Sequence, residues 1–573
     1  MRYRSTRGTS TGLSFEEAVF EGLAPDGGLY IPHSIPQTPL SEIHQWSNLS
    51  FPQLATKIFR KFISHAEISD ADLADIVTRS FGTFSTPEVT PLKKLPNVAV
   101  GNGNGDLENL YVLELFHGPT FAFKDVALQF LGNLFEFFLE RRNRNSATKF
   151  GITVLGATSG DTGGAAIYGL RGKKNVDVFI LHPEGRISPV QEQQMTSVLD
   201  RNVHNIAIEG TFDDCQDMVK AAFSDQKFRR RFHLAAVNSI NWARILAQTS
   251  YYFYSYFAVL RRIGTPSGAS SYAALTKIQY SVPTGNFGDV LAGYYAVRMG
   301  LPIDRLIVAT NENDILHRFF QSGRYEKKQS RNGSEPVKQT LSPAMDILVS
   351  SNFERLLWYL SIEDRRSTSS DADVCAKHAS ANIVQWMREL RDKGGFTVPE
   401  TIFNSSKGLF TSFCTSDALT SDAITRYYHH QYTLLHEAPK PYHGAERPAL
   451  AYVLDPHTAV GVVAAEQLVA TSTTPTTSSI KSTHTICLAT ASPGKFPEAV
   501  LKAINNNAPA LSPQRGFKPL TYADIAPREL VALEGLPKRC LYIQSPGDKL
   551  DALFAVIEDN VGAQFPAKPL SKL

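Results

Sequence analysis

Runs of apolar and β-branched residues that pass into a turn of Gly, Ser, Thr or Asp, and then into a helical pattern, recur along this chain. That alternation constrains the fold more than any other feature, because it is the mark of an α/β architecture. Leu110–Phe116 (LYVLELF) reads as a strand. Phe150–Leu155 (FGITVL) reads as another, followed by Gly156–Gly164 and a helix through Leu170. Val176–Leu181 (VDVFIL) is a strand and Asn205–Glu209 (NIAIE) the next. Lys277–Val282 (KIQYSV) runs into a Gly-rich turn and a helix ending near Gly300, and Leu306–Ala309 follows as a short strand. Residues 1–100 lack the alternation and read as mostly helical.

The composition removes whole classes of function. Lys plus Arg is 58 against 55 Asp plus Glu, so the net charge of +3 gives no field for steering polyanions and excludes a dedicated nucleic-acid binder. Hydrophobic residues at 43% and charged residues at 20% exclude a mainly disordered chain. The longest apolar stretches, Leu128–Leu139 and Tyr251–Leu260, are broken by polar residues and fall short of the ~18 that a membrane span needs. At 573 residues the chain has room for about four domains. Cys215, Cys375, Cys414, Cys487 and Cys540 are too scattered for a disulfide framework or a zinc pattern, and read as reduced thiols in a reducing compartment. Five polar stretches are expected as surface loops without chemistry of their own: 101–105 (GNGNG), 264–272, 325–336, 365–370 and 471–479. Arg2, Arg4 and Arg7 among Ser and Thr would suit an organelle transit segment, but the same residues have a second explanation below.

Three segments point to chemistry. Pro283–Asp289 (PTGNFGD) lies between a strand and a helix, where inward N–H groups and the helix N-terminus suit a phosphate; a turn shaped by geometry alone would look the same. It lacks the Lys-Ser or Lys-Thr pair of a P-loop. In Phe116–Asp125 (FHGPTFAFKD), Lys124 stands just before an apolar helix holding Leu128, Phe130, Leu131, Leu134, Phe135 and Phe138. Desolvation there lowers the lysine pKa toward the neutral amine that a Schiff base needs; the other reading is a lysine that snorkels to solvent. Gly156–Ala166 (GATSGDTGGAA) offers hydroxyls and N–H groups at a helix start, suited to a carboxylate or second phosphate, or else to a helix capped by Ser159, Asp161 or Thr162. One buried lysine and two anion turns in an α/β chain suggest a pyridoxal phosphate enzyme acting on an amino acid.

With these motifs in hand, the chain resembles the threonine synthase family, in its longer branch. The resemblance runs over nearly the whole length. Tyr3–Gly8 (YRSTRG) and Gly22–Pro32 (GLAPDGGLYIP) match the family's N-terminal domain, which is the second explanation of the early arginines. FHGPTFAFKD, GATSGDTGGAA, Gly210–Gln216 (GTFDDCQ), Asn238–Arg244 (NSINWAR), TGNFGD, Asp455–Gly461 (DPHTAVG) and Leu488–Phe496 (LATASPGKF) follow in the family's order.

The resemblance implies an α/β protein of pyridoxal-phosphate fold type II, tryptophan-synthase-β-like, with a mainly helical N-terminal domain over 1–100. It implies a large cofactor domain over 101–150 and 238–510, a small α/β domain over 151–237, and a segment 511–573 packed on the large domain. The implied cofactor is pyridoxal 5'-phosphate, bound as an internal aldimine by Lys124. Gly285, Asn286, Phe287, Gly288 and Asp289 would cradle its phosphate, Thr490 would face the pyridine nitrogen, and Asp161 would stand near the ring. Ser159 and Thr162 would grip the substrate carboxylate, and Asn238, Ser239 and Arg244 the substrate phosphate. His117 and His457 read as structural. The implied reaction turns O-phospho-L-homoserine and water into L-threonine and phosphate, in a cytoplasmic monomer or homodimer with no metal, nucleic-acid or membrane partner. A phospholyase giving 2-oxobutyrate, ammonia and phosphate, and a non-catalytic binding protein on the same fold, are the rivals. The chain departs from the family's TAHPAKF at Ser492 and Gly494, which puts the hydrogen bonding behind the ring in doubt.

Overall fold

A computed structural model describes residues 1–98, 109–147, 149–264, 276–330, 333–437, 451–471, 482–506, 518–544 and 549–562. The loop expected at 101–105, and those expected at 264–272 and 471–479 apart from their first residues, lie outside these residues. The N-terminal part joins a small antiparallel sheet, ordered Thr11–Leu13, Tyr3–Ser5, Tyr30–Pro32, to several helices. In the helix Phe51–Phe62 the apolar residues Phe51, Leu54, Ala55, Ile58, Phe59 and Phe62 recur at the spacing of one helical face, and all six are buried.

Six strands form the large sheet, in the order Phe410–Cys414, Arg305–Thr310, Thr276–Pro283, Ser482–Ala489, Leu110–Glu114 and Leu92–Lys94. All neighbours are parallel except the last pair. Both faces are covered, so alternate residues of one strand enter different cores: Leu113 and Leu115 join the core that includes residues of the helix Trp242–Arg262, Leu110 and Val112 the core that includes residues of the helix Pro456–Thr471. The small sheet is wholly parallel, in the order Leu541–Ile543, Val203–Ile208, Val176–Pro183, Ile152–Ala157 and Leu234–Ala235.

Two helices, each following a strand of a different main sheet, lie in close contact. The helix Lys124–Asn143 crosses the helix Asp161–Leu170 so closely that a Cβ on Gly132 would fall 1.9 Å from the Gly169 carbonyl oxygen, and one on Gly169 would fall 2.5 Å from that of Leu128. Glycine at both positions lets the two backbones touch, and the crossing brings the two helix N-termini, with Lys124 and Asp161, to one place.

Two expectations need correction. The described residues of 511–573 do not pack as one segment on the large sheet. Leu520 and Ile525 join the core beneath the large sheet, but the strand Leu541–Ile543 extends the small sheet and the helix Lys549–Val561 buries Leu553, Ile557 and Val561 against that sheet. Nor is 325–336 a simple surface loop. Arg324–Glu326 pairs with Gly395–Thr397, and Tyr325 is buried between Phe353 and Phe396, because one aromatic in a polar stretch found an apolar site. No helix of the described residues is long and apolar enough to cross a membrane.

Candidate active site

Lys124 opens its helix, and the loop before it is shaped to put it there. Gly118 leaves room for Asp125, whose carboxylate accepts the Thr120 N–H at 2.8 Å and the Thr120 hydroxyl at 2.7 Å. Burial pushes the Asp125 carboxyl up to about 6. Phe121 takes a left-handed conformation at φ 57°. The loop is then sewn to the end of the central strand: the Phe123 N–H donates to the Thr490 carbonyl at 2.8 Å and the Ser492 N–H to the Phe121 carbonyl at 3.0 Å. Thr490 and Lys124, far apart in sequence, thus become neighbours. Ser492 joins this seam through its backbone N–H, which any residue but proline can supply.

Lys124 is 9% exposed, and its Nζ lies 3.6 Å from Asp161 Oδ2. Burial lowers its pKa; Asp161 works against that fall, while Lys495 and Arg244 add to it. Burial alone would raise the Asp161 carboxyl, but Lys495 and then Lys124 outweigh burial and hold it below the ordinary carboxylate range. Gln191 donates to Asp161 Oδ1 at 2.9 Å. The turn before Asp161 is braced by Thr158, whose hydroxyl accepts the N–H groups of Gly160 at 3.0 Å and Gly163 at 2.9 Å. The helix cap is Gly160, and the hydroxyl that serves the turn comes from Thr158, not from Ser159, Asp161 or Thr162. Ser159 is exposed and Thr162 half-buried on this turn.

The phosphate turn connects the strand Thr276–Pro283 to the helix Gly288–Met299, with Phe287 left-handed at φ 61° as the helix cap. First-turn N–H groups have no partner inside a helix and suit an anion. Asp289 does not face that space through its carboxylate. Its Oδ1 accepts the hydroxyls of Tyr251 at 2.5 Å and Tyr252 at 3.0 Å, and burial pushes the carboxyl up to about 7. The side chain thus supports the turn from the core. An ionised carboxylate beside a phosphate would repel it, so the inward turn makes sense.

A segment that sequence reading passes over holds this turn in place. Ser350 donates to the Gly285 carbonyl at 2.8 Å, Ser351 to Asn286 Oδ1 at 3.1 Å, and Asn352 Nδ2 to the Asn286 carbonyl at 3.0 Å and the Ser239 carbonyl at 3.2 Å. Behind them the fully buried Arg355 donates to the carbonyls of Tyr30 at 2.8 Å and Ile240 at 2.7 Å. This ties the N-terminal part, the 238–241 loop and the turn into one block. Arg7 reaches the neighbouring Glu354 through both carboxylate oxygens, at 3.2 and 2.9 Å, which gives YRSTRG a structural task.

Asn238 is exposed and Ser239 half-buried, next to Arg244. Arg244 is 3% exposed; its Nη1 donates to the Val237 carbonyl at 3.1 Å, and its Nε has no partner among the described residues. Burial lowers it to about 10. A buried guanidinium with an unused donor suits an anionic ligand. His117 pairs with Glu114 at 2.9 Å, and His457 with Asp455 at 2.9 Å while accepting the Ala344 N–H at 3.1 Å.

A neutralisable lysine at a helix mouth, a strand-to-helix turn that opens a helix and a hydroxyl residue sewn to the lysine loop fit pyridoxal phosphate; with the parallel sheets around them they define a fold type II enzyme of that cofactor. The family model for pyridoxal-phosphate dependent enzymes matches residues 84–401, with the threonine synthase N-terminal model matching 2–81 and the C-terminal model 458–557. Threonine synthase of Saccharomyces cerevisiae is 50% identical over 547 residues, covering 95% of each chain. Human threonine synthase-like 2 is 35% identical over 559 residues, covering 98% of this chain and 97% of that one. The yeast threonine synthase crystal structure superposes with a TM-score of 0.82 at 48% identity, covering 98% of this chain and 99% of that one. The pyridoxal-phosphate-bound enzyme of Brucella melitensis gives 0.76 at 36% identity, with the same coverage of both chains. The chain belongs to the threonine synthase family and is a pyridoxal-phosphate-dependent lyase with threonine synthase activity.

Proposed function

We propose that the substrate is O-phospho-L-homoserine, which with water gives L-threonine and phosphate in the cytoplasm. The observation that carries this reading is Arg244, a buried guanidinium whose Nε has no partner among the described residues, close in sequence to Asn238 and Ser239 and near enough to Lys124 to act on its charge. Pyridoxal phosphate, when bound, supplies the electron sink that makes protons next to the amino-acid nitrogen removable. The chain supplies the rest. Lys124 Nζ, as a neutral amine, takes the α-proton. Ser159 and Thr162 hold the substrate carboxylate, and Asn238, Ser239 and Arg244 hold its phosphate and stabilise the charge that grows there as the γ-carbon–oxygen bond breaks. Gly285, Asn286, Phe287, Gly288 and Asp289 hold the cofactor phosphate through the backbone of their turn, and Thr490 faces the pyridine nitrogen.

The test is product analysis with O-phospho-L-homoserine, following phosphate, threonine and 2-oxobutyrate together. Threonine equal to phosphate is the expected result. Phosphate matched by 2-oxobutyrate would make the chain a phospholyase, and no phosphate release by the loaded enzyme would mean another substrate. R244Q is expected to lose about 10- to 100-fold in kcat/KM, the worth of one charged hydrogen bond, with the absorbance of the bound cofactor unchanged.

A further inference from the structure

Two lysines share one buried carboxylate, and the geometry treats them differently. Lys495 is fully buried, and its Nζ meets Asp161 Oδ1 at 2.7 Å, the Thr120 carbonyl at 2.8 Å and Gln194 Oε1 at 3.2 Å. An ammonium has three donors, and all three are used. Lys124 reaches the other oxygen of the same carboxylate at 3.6 Å, longer than a hydrogen bond. Lys495 is therefore built as a standing cation and Lys124 as the amine that can lose its proton.

The geometry points to Lys495 as a positioning residue for Lys124, acting through Asp161. The inference rests on the reading above, in which Lys124 must be a neutral amine. With Lys124 as its sole cation, Asp161 would be left as an unpaired buried charge on every deprotonation, and would hold Lys124 protonated. Lys495 removes that penalty by keeping Asp161 paired, and its own charge opposes a second ammonium nearby. It also spans the domains, since Asp161 and Gln194 belong to the small domain and Lys495 and Thr120 to the large one. The groups around the pair are Asp161, Lys495 and Arg244 facing Lys124, His457 facing Asp161, and Asp125 facing Lys495.

The experiment measures the titration midpoint of Lys124 in the full-length chain freed of cofactor, by competitive acetylation across pH with mass spectrometry of the Lys124 peptide. K495M is expected to raise the midpoint by about 1–2 pH units, the usual effect of exchanging a like-charged neighbour for an unopposed carboxylate. K495R, which keeps the charge, should restore the wild-type value; a merely structural lysine would not give that pattern. A K495M midpoint at or below wild type overturns the proposal. Should K495M fail to fold, D161N decides: removal of the carboxylate is expected to lower the midpoint, and a value at or above wild type overturns the proposal. Cofactor uptake by the wild-type chain, read from its absorbance, tests the underlying reading separately, because the labelling midpoint does not depend on it.

Discussion

Asp289 illustrates what a single residue can hide. In the sequence it closes a phosphate turn; in the structure its carboxylate points into the core and titrates at about 7 against an ordinary 3.8. Burial disfavours the charged form, so the folded state keeps a proton that the unfolded chain gives up near pH 4. Stability from this residue is therefore full below the unfolded value and falls as the pH rises to about 7, with no further loss above it. An asparagine side chain in its place would be neutral throughout. The difference in thermal midpoint between D289N and the wild type is expected to shift in the variant's favour from pH 4 to 7 and then level off. A difference that stays flat over that range would contradict the buried titration. Lys124 is legible as a desolvated lysine because an apolar helix follows it directly. Its partner Lys495 is not, since Lys495 meets the Thr120 carbonyl across 375 positions and nothing local marks that meeting.

At the scale of elements, close approach decides what side-chain chemistry does not. Gly494 stands where the family usually has Ala, and the reason lies in the C-terminal part. A Cβ on Gly494 would come within 2.6 Å of both Cα and Cβ of Ala526, so the two backbones are in contact. G494A is expected to destabilise by about 1–3 kcal/mol, the range for overpacking a filled site, seen as a lower thermal midpoint. G494A/A526G should recover part of that loss, because Ala526 Cβ is half of the clash and its Cα the other half. The strands predicted from apolar runs appear at nearly the predicted places, since a strand buried on both faces carries its signal in its own residues. The segment 350–355 has no such signal, because its task lies in contacts with groups far away in the chain, and its sequence, SSNFER, resembles that of an ordinary loop and helix start.

For the molecule as a whole, Leu541–Ile543 and Lys549–Val561 join the small sheet although they follow the large sheet in sequence. Removing 541–573 would expose the edge of Val203–Ile208 and take Ile543, Leu553, Ile557 and Val561 out of that core. At about 1.5–3 kcal/mol per buried aliphatic side chain, the loss exceeds what a small domain tolerates. The truncated chain is expected to lose hydrogen-exchange protection in Val203–Ile208 and Phe212–Ser224 while Thr276–Pro283 keeps it; equal protection in both would refute the assignment. The alternation of strands and helices, the anion turns and the lysine that precedes them are written in short stretches of sequence, because hydrophobic period and turn chemistry act over a few residues. The order of strands in each sheet, the crossing at Gly132 and Gly169, the inward Asp289 and the shared carboxylate of Asp161 arise only in the assembled fold. Each depends on contacts between segments far apart in the chain, and a buried charge or a bare glycine shows its purpose only when the group it meets is in place.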